Sequence, residues 1–421
     1  MTPADKASQT LRAGWLLWGM AALFYAYGFL QRVAPAVIAT DLMRDFALGG
    51  ALLGTLSAAY FYAYAAVQIP AGLLMDRIGP GRLLAFAALF AAMGAAIFGF
   101  APDYALAVLG RAMVGAGVGV AYIGSLKIAA LHLPPERFGL IAGLTLTAGT
   151  LGAILGQTPL ALLVGGLGWR GAMLATSLVG LLLALLVLVL RRGGPRKSRA
   201  AGPPRAVLAS ILHRRETWLL IGITGSLGPP ILAFAGLWGV PFLQQVYGMS
   251  PASAGLLSSA MLLAWAAGGP LMGAFSDRLG RRPVLVGGSL LQLAAWAVLS
   301  SFPPVPLLAA ALVVLGLGGG CMVVAFAFAR DRFGDIDAAT ASGIVNTAVL
   351  LVGAGMQTLL GMLLDVGWLG EMRQGTRIYP EPAWRLAWMV VVMAPLLGAV
   401  LAWRLPRHSV PRGGAGRGAK L

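Results

Sequence analysis

The sequence is poor in the residues that build thiol and metal sites. Its 421 residues include one cysteine, Cys321, and three histidines. Disulfide frameworks, thiolate zinc sites and Cys–Cys redox pairs need more cysteines than this. Charged residues make up 11% of the chain and hydrophobic residues 59%, whereas soluble domains carry about 25% charged residues. The composition excludes those thiol sites and an ordinary soluble protein, and we expect no metal, no cofactor and no enzymatic activity.

Long apolar runs dominate what is present. Twelve of them reach the length of about 20 residues that a helix needs to cross a hydrocarbon core. Because lipid offers the backbone no hydrogen-bond partners and the alternating pattern of a barrel is absent, we predict that all twelve are helices. The predicted spans are 14–38, 49–74, 82–101, 104–130, 138–166, 171–190, 217–246, 252–275, 283–301, 305–329, 339–365 and 384–405.

The positive charge is unevenly distributed between the two sides of the predicted membrane. The net charge is +17, from 31 Lys and Arg against 14 Asp and Glu. With the N-terminus inside, most of the basic residues fall on that side. The positive-inside rule then predicts that both termini are cytoplasmic. The expected location is the plasma membrane, as a multi-pass protein of a bacterial inner membrane. Basic loops also meet anionic lipid, so we expect the bilayer and no nucleic acid as partner. The opposite side holds Arg44, Arg170, Arg373, Arg377 and Arg385.

A basic stretch rich in Gly and Pro separates two halves of the chain, and this composition predicts a linker. A loop pattern recurs on both sides of it, at 72–82 and at 273–282. Gly143, Thr147, Gln157 and Thr158 recur 200 residues later as Gly343, Thr347, Gln357 and Thr358. Such repetition favours a duplicated six-helix unit. The predicted parts are an N-terminal bundle at 1–190, a cytoplasmic linker at 191–216, a C-terminal bundle at 217–405 and a basic cytoplasmic tail at 406–421.

Three motifs resemble those of the major facilitator superfamily of secondary transporters. Its loop signature is similar to Gly72-x-x-x-Asp76-Arg77-x-Gly79-x-x-Arg82, and its helix-4 motif to Arg111-x-x-x-Gly115-x-Gly117. The run Gly149-x-x-Gly152-x-x-x-Gly156 is a looser relative of the antiporter pattern and lacks its central Gly-Pro pair. The resemblance implies an all-α membrane protein whose twelve transmembrane helices form two pseudo-symmetric bundles. These bundles rock about a substrate near the bilayer midplane. The resemblance also implies a monomer.

The two loop motifs are the candidate gate. In the superfamily, such loops latch one state through contacts of a carboxylate with arginine and with the positive N-terminal end of a helix. The alternative is that the loop residues are solvated and that their charges only set the topology. The candidate gating residues are Gly72, Asp76, Arg77, Arg82, Arg137, Gly273, Asp277, Arg278, Asp331 and Arg332.

Two arginines and no acid lie inside the predicted helices. Arg32 and Arg111 sit at depths where a charge is costly, which makes each a functional candidate, and all 14 acids lie in loops or at helix ends. An unpaired guanidinium offers a planar fork to an anion or to the carboxylate of a zwitterion. The alternatives are that Arg111 braces its helix against backbone carbonyls and that Arg32 extends to the membrane interface.

Aromatic and amide side chains complete the candidate substrate site. Tyr25, Phe29 and Arg32 share one helix face. Aromatic stripes also serve packing, and amides also pair between helices, so both alternatives stay open. The candidate substrate-binding residues are Arg32, Tyr25, Tyr60, Tyr64, Arg111, Tyr122, Trp238, Gln244, Trp265, Asn346 and Gln357.

Together these features predict an alternating-access secondary transporter of a small anionic or zwitterionic metabolite: an amino acid, a peptide or a monocarboxylate. The stretch from Tyr25 to Pro35 is similar to bacterial amino-acid and nutrient carriers. Two alternatives remain open, a proton-coupled multidrug efflux antiporter and a non-transporting membrane sensor or assembly factor.

The alternatives for coupling are uniport without an ion, coupling to a proton and exchange for a counter-anion. All three histidines fall in predicted cytoplasmic segments, which leaves Asp41 and Asp365 as the helix-end acids that can carry a proton. Uniport, anion exchange and symport through the substrate's own carboxylate therefore rank above export driven by a buried acid.

Overall fold

The computed structural model describes residues 3–190 and 211–406 of the chain. The side chains at 3–10, 69, 73, 76 and 334–340 are outside that description. Most of the predicted linker, the tail after residue 406 and the side chain of Asp76 therefore lie outside the described residues.

Twelve helices of the described part are long and apolar enough to cross a membrane, which confirms the predicted fold class. They are numbered α1 to α12 in chain order. Their crossing segments are Leu11–Val37, Gly50–Gln68, Pro80–Phe100, Tyr104–His132, Pro135–Leu155, Thr158–Leu190, Arg215–Tyr247, Pro251–Leu279, Arg281–Ser300, Val305–Phe333, Ala341–Val366 and Glu381–Trp403.

Several crossing segments belong to longer helices. The helix of α1 begins at Pro3, and that of α2 continues to Ile78. After its first part, Val305–Gly319, α10 runs into α11 as one helix, Met322–Val366.

Other crossing segments are interrupted. Helix α4 consists of Tyr104–Val118 and Ala121–His132. The segment Thr158–Leu190 contains a non-helical residue, Gly168, with φ of 69°. Gly168 divides the segment into 158–167 and 169–190, close to the predicted boundary between the fifth and sixth spans.

Helix α7 is irregular at its centre. It consists of Arg215–Ala233, a π-helical turn at Phe234–Trp238 and Gly239–Tyr247. Pro229 and Pro230 lie just before this turn, and proline removes a backbone donor from a helix. A π turn widens the backbone and is frequent at functional sites. The irregular turn leaves backbone carbonyls of α7 for side chains of other helices.

Short elements join some of the helices. A helix, Ala39–Asp45, follows α1, and the 3-10 turn Pro135–Arg137 precedes the helical part Phe138–Leu155 of α5. Strands β1 (Met372–Arg373) and β2 (Thr376–Arg377) form an antiparallel hairpin. Gln374 and Gly375 between them both have positive φ, 49° and 80°, as a tight two-residue turn requires.

The chain forms two compact units, each with its own interior. The first comprises Met1–Ala201, Pro229–Leu263 and Leu350–Trp388, and the second the remaining residues. In the second unit Leu220, Leu285 and Phe328 are fully buried in one apolar cluster. The division into two sequence halves remains a prediction.

Candidate functional site

An aromatic cage in the first unit surrounds the guanidinium of Arg32. The side chain lies on α1 and is 7% exposed. Its Cζ atom is 4.1 Å from the ring centre of Phe29, one helical turn earlier. Helix α2 supplies the rings of Tyr64 at 5.4 Å, Phe61 at 5.7 Å and Tyr60 at 5.9 Å. A cation near the faces of aromatic rings is attracted by their quadrupoles, so the cage holds the side chain in place.

The cage leaves the charge of Arg32 uncompensated. No described carboxylate forms an ion pair with Arg32, and its Nε atom is buried without a hydrogen-bond partner. A buried unpaired donor costs about 1–3 kcal/mol, and more when it is charged. The side chain also hydrogen-bonds to the Tyr60 and Tyr64 hydroxyls, which are neutral acceptors, so its positive charge has no negative partner among the described residues.

Arg111 differs from Arg32 because it is anchored to a backbone carbonyl. It is completely buried, and its terminal nitrogen donates to Gln31 O at 2.7 Å. Its Cζ is 5.0 Å from the ring centre of Tyr60, whose hydroxyl donates to Gly28 O at 2.9 Å. Tyr60 thus contacts both guanidiniums. The Nε and second terminal nitrogen of Arg111 lack partners, and the geometry ties α4 to α1.

Close packing brings the helices of the cage together. A Cβ added at Gly115 of α4 would collide with the carbonyl oxygen of Tyr60, and one at Gly152 would collide with that of Ala26. Glycines at helix contacts let backbones approach closely in membranes. These contacts seat α2 against α4, and α1 against α5.

Two further predicted residues adjoin the cage. Tyr25 lies with its ring centre 4.8 Å from that of Phe29 and 5.3 Å from that of Tyr122. The predicted common face of Tyr25, Phe29 and Arg32 is thus present in the structure. Gln31 was not among the predicted site residues; it donates to Thr176 Oγ1 at 2.8 Å and helps to fix this part of α1. A polar residue beside Arg32 in an apolar helix was the available signal.

Trp238 and Gln357 meet at the π turn of α7. Trp238 Nε1 donates to Gln357 O at 2.8 Å, and Gln357 Nε2 donates to Leu232 O at 3.3 Å. Gln157 Nε2 donates to Ala235 O at 2.9 Å. Both glutamine Oε1 atoms are buried without partners. The two amides, one from each sequence half, both bind carbonyls of α7.

Matching glycine contacts accompany the two glutamines. A Cβ added at Gly54 of α2 would lie 2.5 Å from an oxygen in Gln357–Thr358 of the α11 helix. A Cβ added at Gly255 of α8 would lie 2.9 Å from a nitrogen in Gln157–Thr158, at the junction of α5 and α6. The repeated Gln-Thr pairs therefore make equivalent contacts with equivalent glycines.

A carboxylate caps the N-terminus of α2 at the end of the helices that the topology predicts to be periplasmic, here called the outer end. The backbone N–H groups of Gly50 and Ala51 donate to the two Asp365 oxygens at 2.8 and 2.9 Å. Arg377 and the Tyr379 hydroxyl also bind Asp365, at 3.1 and 2.9 Å. Negative charge at a helix N-terminus is stabilising. This outer latch joins α2 to α11 and to the hairpin segment.

The Tyr379 hydroxyl is held in its neutral form. Burial and then the charge of Asp365 raise the pKa of Tyr379 far above its ordinary value. The hydroxyl therefore stays a donor. Gln245, which the sequence analysis did not single out, binds the same segment: its Oε1 accepts from Tyr379 N at 3.1 Å, and its Nε2 donates to Arg377 O at 3.2 Å.

Comparison with known proteins assigns the family. The family model described as Major Facilitator Superfamily matches residues 16–239 and 231–420. The chain belongs to the Major Facilitator Superfamily. It is a multi-pass membrane transporter of that superfamily, as the loop and helix-4 motifs predicted.

Individual superfamily members resemble the chain at moderate identity. A probable sulfoacetate transporter of Cupriavidus necator is 24% identical over 383 residues, covering 85% of this chain and 89% of that protein. A probable L-galactonate transporter of Escherichia coli is 26% identical over 281 residues, covering 62% and 61%. A solved bacterial homologue of the human lysosomal transporter Spinster, inward-facing and unoccupied, matches with a TM-score of 0.80 at 17% identity, covering 93% and 96%. This last likeness concerns the fold.

Three predicted substrate residues remain. Gln244 Oε1 accepts from Thr40 Oγ1 at 3.5 Å, near the outer end. Trp265 and Asn346 are half-buried side chains of the second unit.

The superfamily loop of the second unit is organised by Arg281, which the sequence analysis did not include. Its guanidinium binds Asp277 at 2.6 Å and Asp331 at 2.9 Å. Arg332 binds Glu216 at 3.0 Å. The candidate gating acids Asp277 and Asp331 thus share one arginine.

Other candidate gating residues carry no such contact in the described part. Arg77, Arg82, Arg137 and Arg278 are exposed. A Cβ at Gly72 or at Gly273 would meet no atom within 4 Å. Their roles stay predictions.

Proposed function

We propose that this transporter carries a small organic anion and that Arg32 binds its carboxylate or sulfonate. The observation that carries the proposal is the buried guanidinium of Arg32, caged by four rings and unpaired with any described acid. Arginine binds two oxygens of one oxyanion through two parallel hydrogen bonds. The surrounding rings exclude water and strengthen that attraction.

The charge balance of the helices favours anions over zwitterions and cations. In the described crossing segments, Asp and Glu occur only near segment ends. An amino acid or peptide would bring its ammonium group to the cage without a buried carboxylate to receive it, which is costly in a membrane interior. Two relatives are named as transporters of sulfoacetate and L-galactonate, both anions, and this supports the same substrate class.

The outer latch supplies one gate of the proposed cycle. Asp365 and the Gly54 and Gly255 contacts join the two sequence halves at this end. Release of a substrate to the outer side requires these contacts to separate, as in alternating access. We propose that the halves 1–190 and 217–405 move as the two bundles, in an inner membrane with both termini cytoplasmic.

A thermal-shift screen tests the substrate class. The purified protein is heated with sulfoacetate, galactonate, monocarboxylates, amino acids, dipeptides, neutral sugars and cationic dyes. A ligand at 100 times its Kd stabilises the folded state by about 2.7 kcal/mol. We expect organic anions to raise the Tm of the wild type and to have no effect on Arg32→Ala.

One further variant distinguishes the bidentate geometry of the guanidinium from its charge, and a second is a control at an exposed arginine. Arg32→Lys keeps the charge and loses the bidentate geometry, so we expect weaker stabilisation by the same anion. Arg373→Ala removes one charge from a side chain that is 74% exposed in the hairpin, and we expect an unchanged response. Stabilisation by dyes or sugars that survives in Arg32→Ala contradicts the proposal, and stabilisation by dyes favours the efflux alternative.

A further inference from the structure

A cavity of about 500 Å³ lies in the second unit, where α8 ends and α9 begins. Its walls include Arg281, Arg282, Val286, Phe328 and Trp403. The last of these closes α12, so the cavity lies at the helix end from which the C-terminal tail leaves. This is the end that the charge distribution predicts to be cytoplasmic. None of its lining residues belongs to the Arg32 cage.

One basic side chain in the cavity is free for a ligand. Arg281 is held by Asp277 and Asp331. Arg282 forms no ion pair with any described residue, and its Cζ lies 4.5 Å from the ring centre of Trp403. A guanidinium that stacks on an indole keeps its N–H edge for an oxyanion. The cavity therefore combines one unpaired cation with apolar and aromatic walls.

The surroundings place this combination at a membrane surface. Trp403 is 62% exposed and Leu279 is 64% exposed, both at ends of membrane-crossing helices. Tryptophan is enriched where headgroups meet hydrocarbon. A ligand here meets lipid on its apolar side and Arg282 on its polar side. Basic pockets between membrane helices bind phospholipid headgroups.

We propose that this cavity binds one anionic phospholipid, with its phosphate on Arg282 and its acyl chains along Val286 and the exposed side chain of Leu279. Charge argues against the chain's own tail as occupant. The tail after residue 406 carries Arg407, Arg412, Arg417 and Lys420 and no acid. Arg282 repels these positive charges of the tail, and it attracts an anionic headgroup.

Native mass spectrometry of the full-length protein tests this proposal. The delipidated protein is titrated with phosphatidylglycerol, phosphatidylcholine, inorganic phosphate and glycerol phosphate. We expect the first phosphatidylglycerol to bind more tightly than phosphatidylcholine. One arginine near an anionic headgroup contributes about fivefold in affinity, so Arg282→Ala should lose about that factor. Arg282→Lys should keep most of it.

Arg404→Ala is the matched control. This arginine is exposed, adjoins Trp403 in sequence and lies outside the cavity lining. We expect its preference for phosphatidylglycerol to equal that of the wild type. Equal weakening in both alanine variants, or a wild type without preference, overturns the proposal. Inorganic phosphate or glycerol phosphate binding as tightly as the lipid also overturns it, in favour of a soluble anion. The assay involves no transport, so its result is independent of the function proposed for Arg32.

Discussion

Arg32 and Arg111 have the same chemistry and different surroundings. In the sequence both are isolated cations in apolar helices. In the structure Arg111 donates to Gln31 O, whereas the Arg32 guanidinium lies among aromatic rings and hydrogen-bonds only to the Tyr60 and Tyr64 hydroxyls among the described residues. Because a carbonyl already uses part of the donor capacity of Arg111, the bracing role is our proposal for Arg111 and the binding role our proposal for Arg32.

Removal of Arg111 should lower stability and leave ligand response intact. Arg111→Ala leaves Gln31 O without its buried donor, which costs about 1–3 kcal/mol. We expect a lower Tm without ligand and a preserved upward shift with the organic anion that stabilises the wild type. Arg32→Ala should show the reverse pattern. A lost ligand shift in Arg111→Ala would assign substrate contact to both arginines.

Asp365 acts at the residue scale as a cap on α2. Asp365→Asn keeps the shape and removes the negative charge, so the bonds from Gly50 and Ala51 weaken. Hydrogen bonds to charged groups contribute about 1.5–3 kcal/mol. We expect hydrogen exchange of these two amides to become about tenfold faster, measured by mass spectrometry of the peptide that contains them.

The matched control for this prediction is Glu371→Gln. Glu371 is 61% exposed and lies 3.6 Å from Arg373, in the same outer segment. Exchange at Gly50 and Ala51 should not change in this variant. Equal acceleration in both variants would show that overall charge, not the cap, protects the amides.

At the scale of elements, the Gln-Thr pair that recurs after 200 residues makes a helix contact at each of its two positions. Gln157–Thr158 and Gln357–Thr358 were found in the sequence as an offset match. Their partners Gly255 and Gly54 could not be found this way, because glycines are abundant, at 59 in the chain. Only the packing of α2 on α11 and of α8 near Thr158 distinguishes these two from the rest.

Side chains at the paired glycines should weaken the outer contacts. Gly54→Ala and Gly255→Ala each place a Cβ within 3.0 Å of opposing backbone. We expect faster hydrogen exchange at the N-terminus of α2 for Gly54→Ala and near Thr158 for Gly255→Ala, with slower transport in proteoliposomes.

The controls are Gly143→Ala and Gly343→Ala, another pair from the same repeat. A Cβ at either position meets no atom within 4 Å. Alanine is the better helix former by about 1 kcal/mol, so these variants should be as stable as the wild type or more stable. Similar losses in all four variants would contradict a specific role for the contacts of Gly54 and Gly255.

At the scale of the whole molecule, the loops report the topology. The hairpin at 372–377 and the linker at 191–216 are predicted to lie on opposite sides of the membrane. In a Cys321→Ala background, we expect Gln374→Cys to react with an impermeant maleimide in intact cells. Ser198→Cys should react only after the cells are opened. The opposite pattern would invert the predicted orientation.

The sequence by itself determined the class of protein and the number of crossings. Hydrocarbon excludes unpaired backbone groups and charges, so apolar length and charge placement specify twelve helices before any contact is known. The superfamily motifs and the two intramembrane arginines were equally visible, since each breaks an apolar pattern.

Only the tertiary structure decided which polar groups meet. Arg281 and Arg282 have the same sequence signature as basic residues that set topology, yet one binds Asp277 and Asp331 and the other stacks on Trp403. Asp365 meets α2 across more than 300 residues of chain. Such contacts depend on helix order and packing, which local spacing does not encode. Composition therefore determines which segments cross the membrane, and packing determines which polar groups come together to bind a ligand.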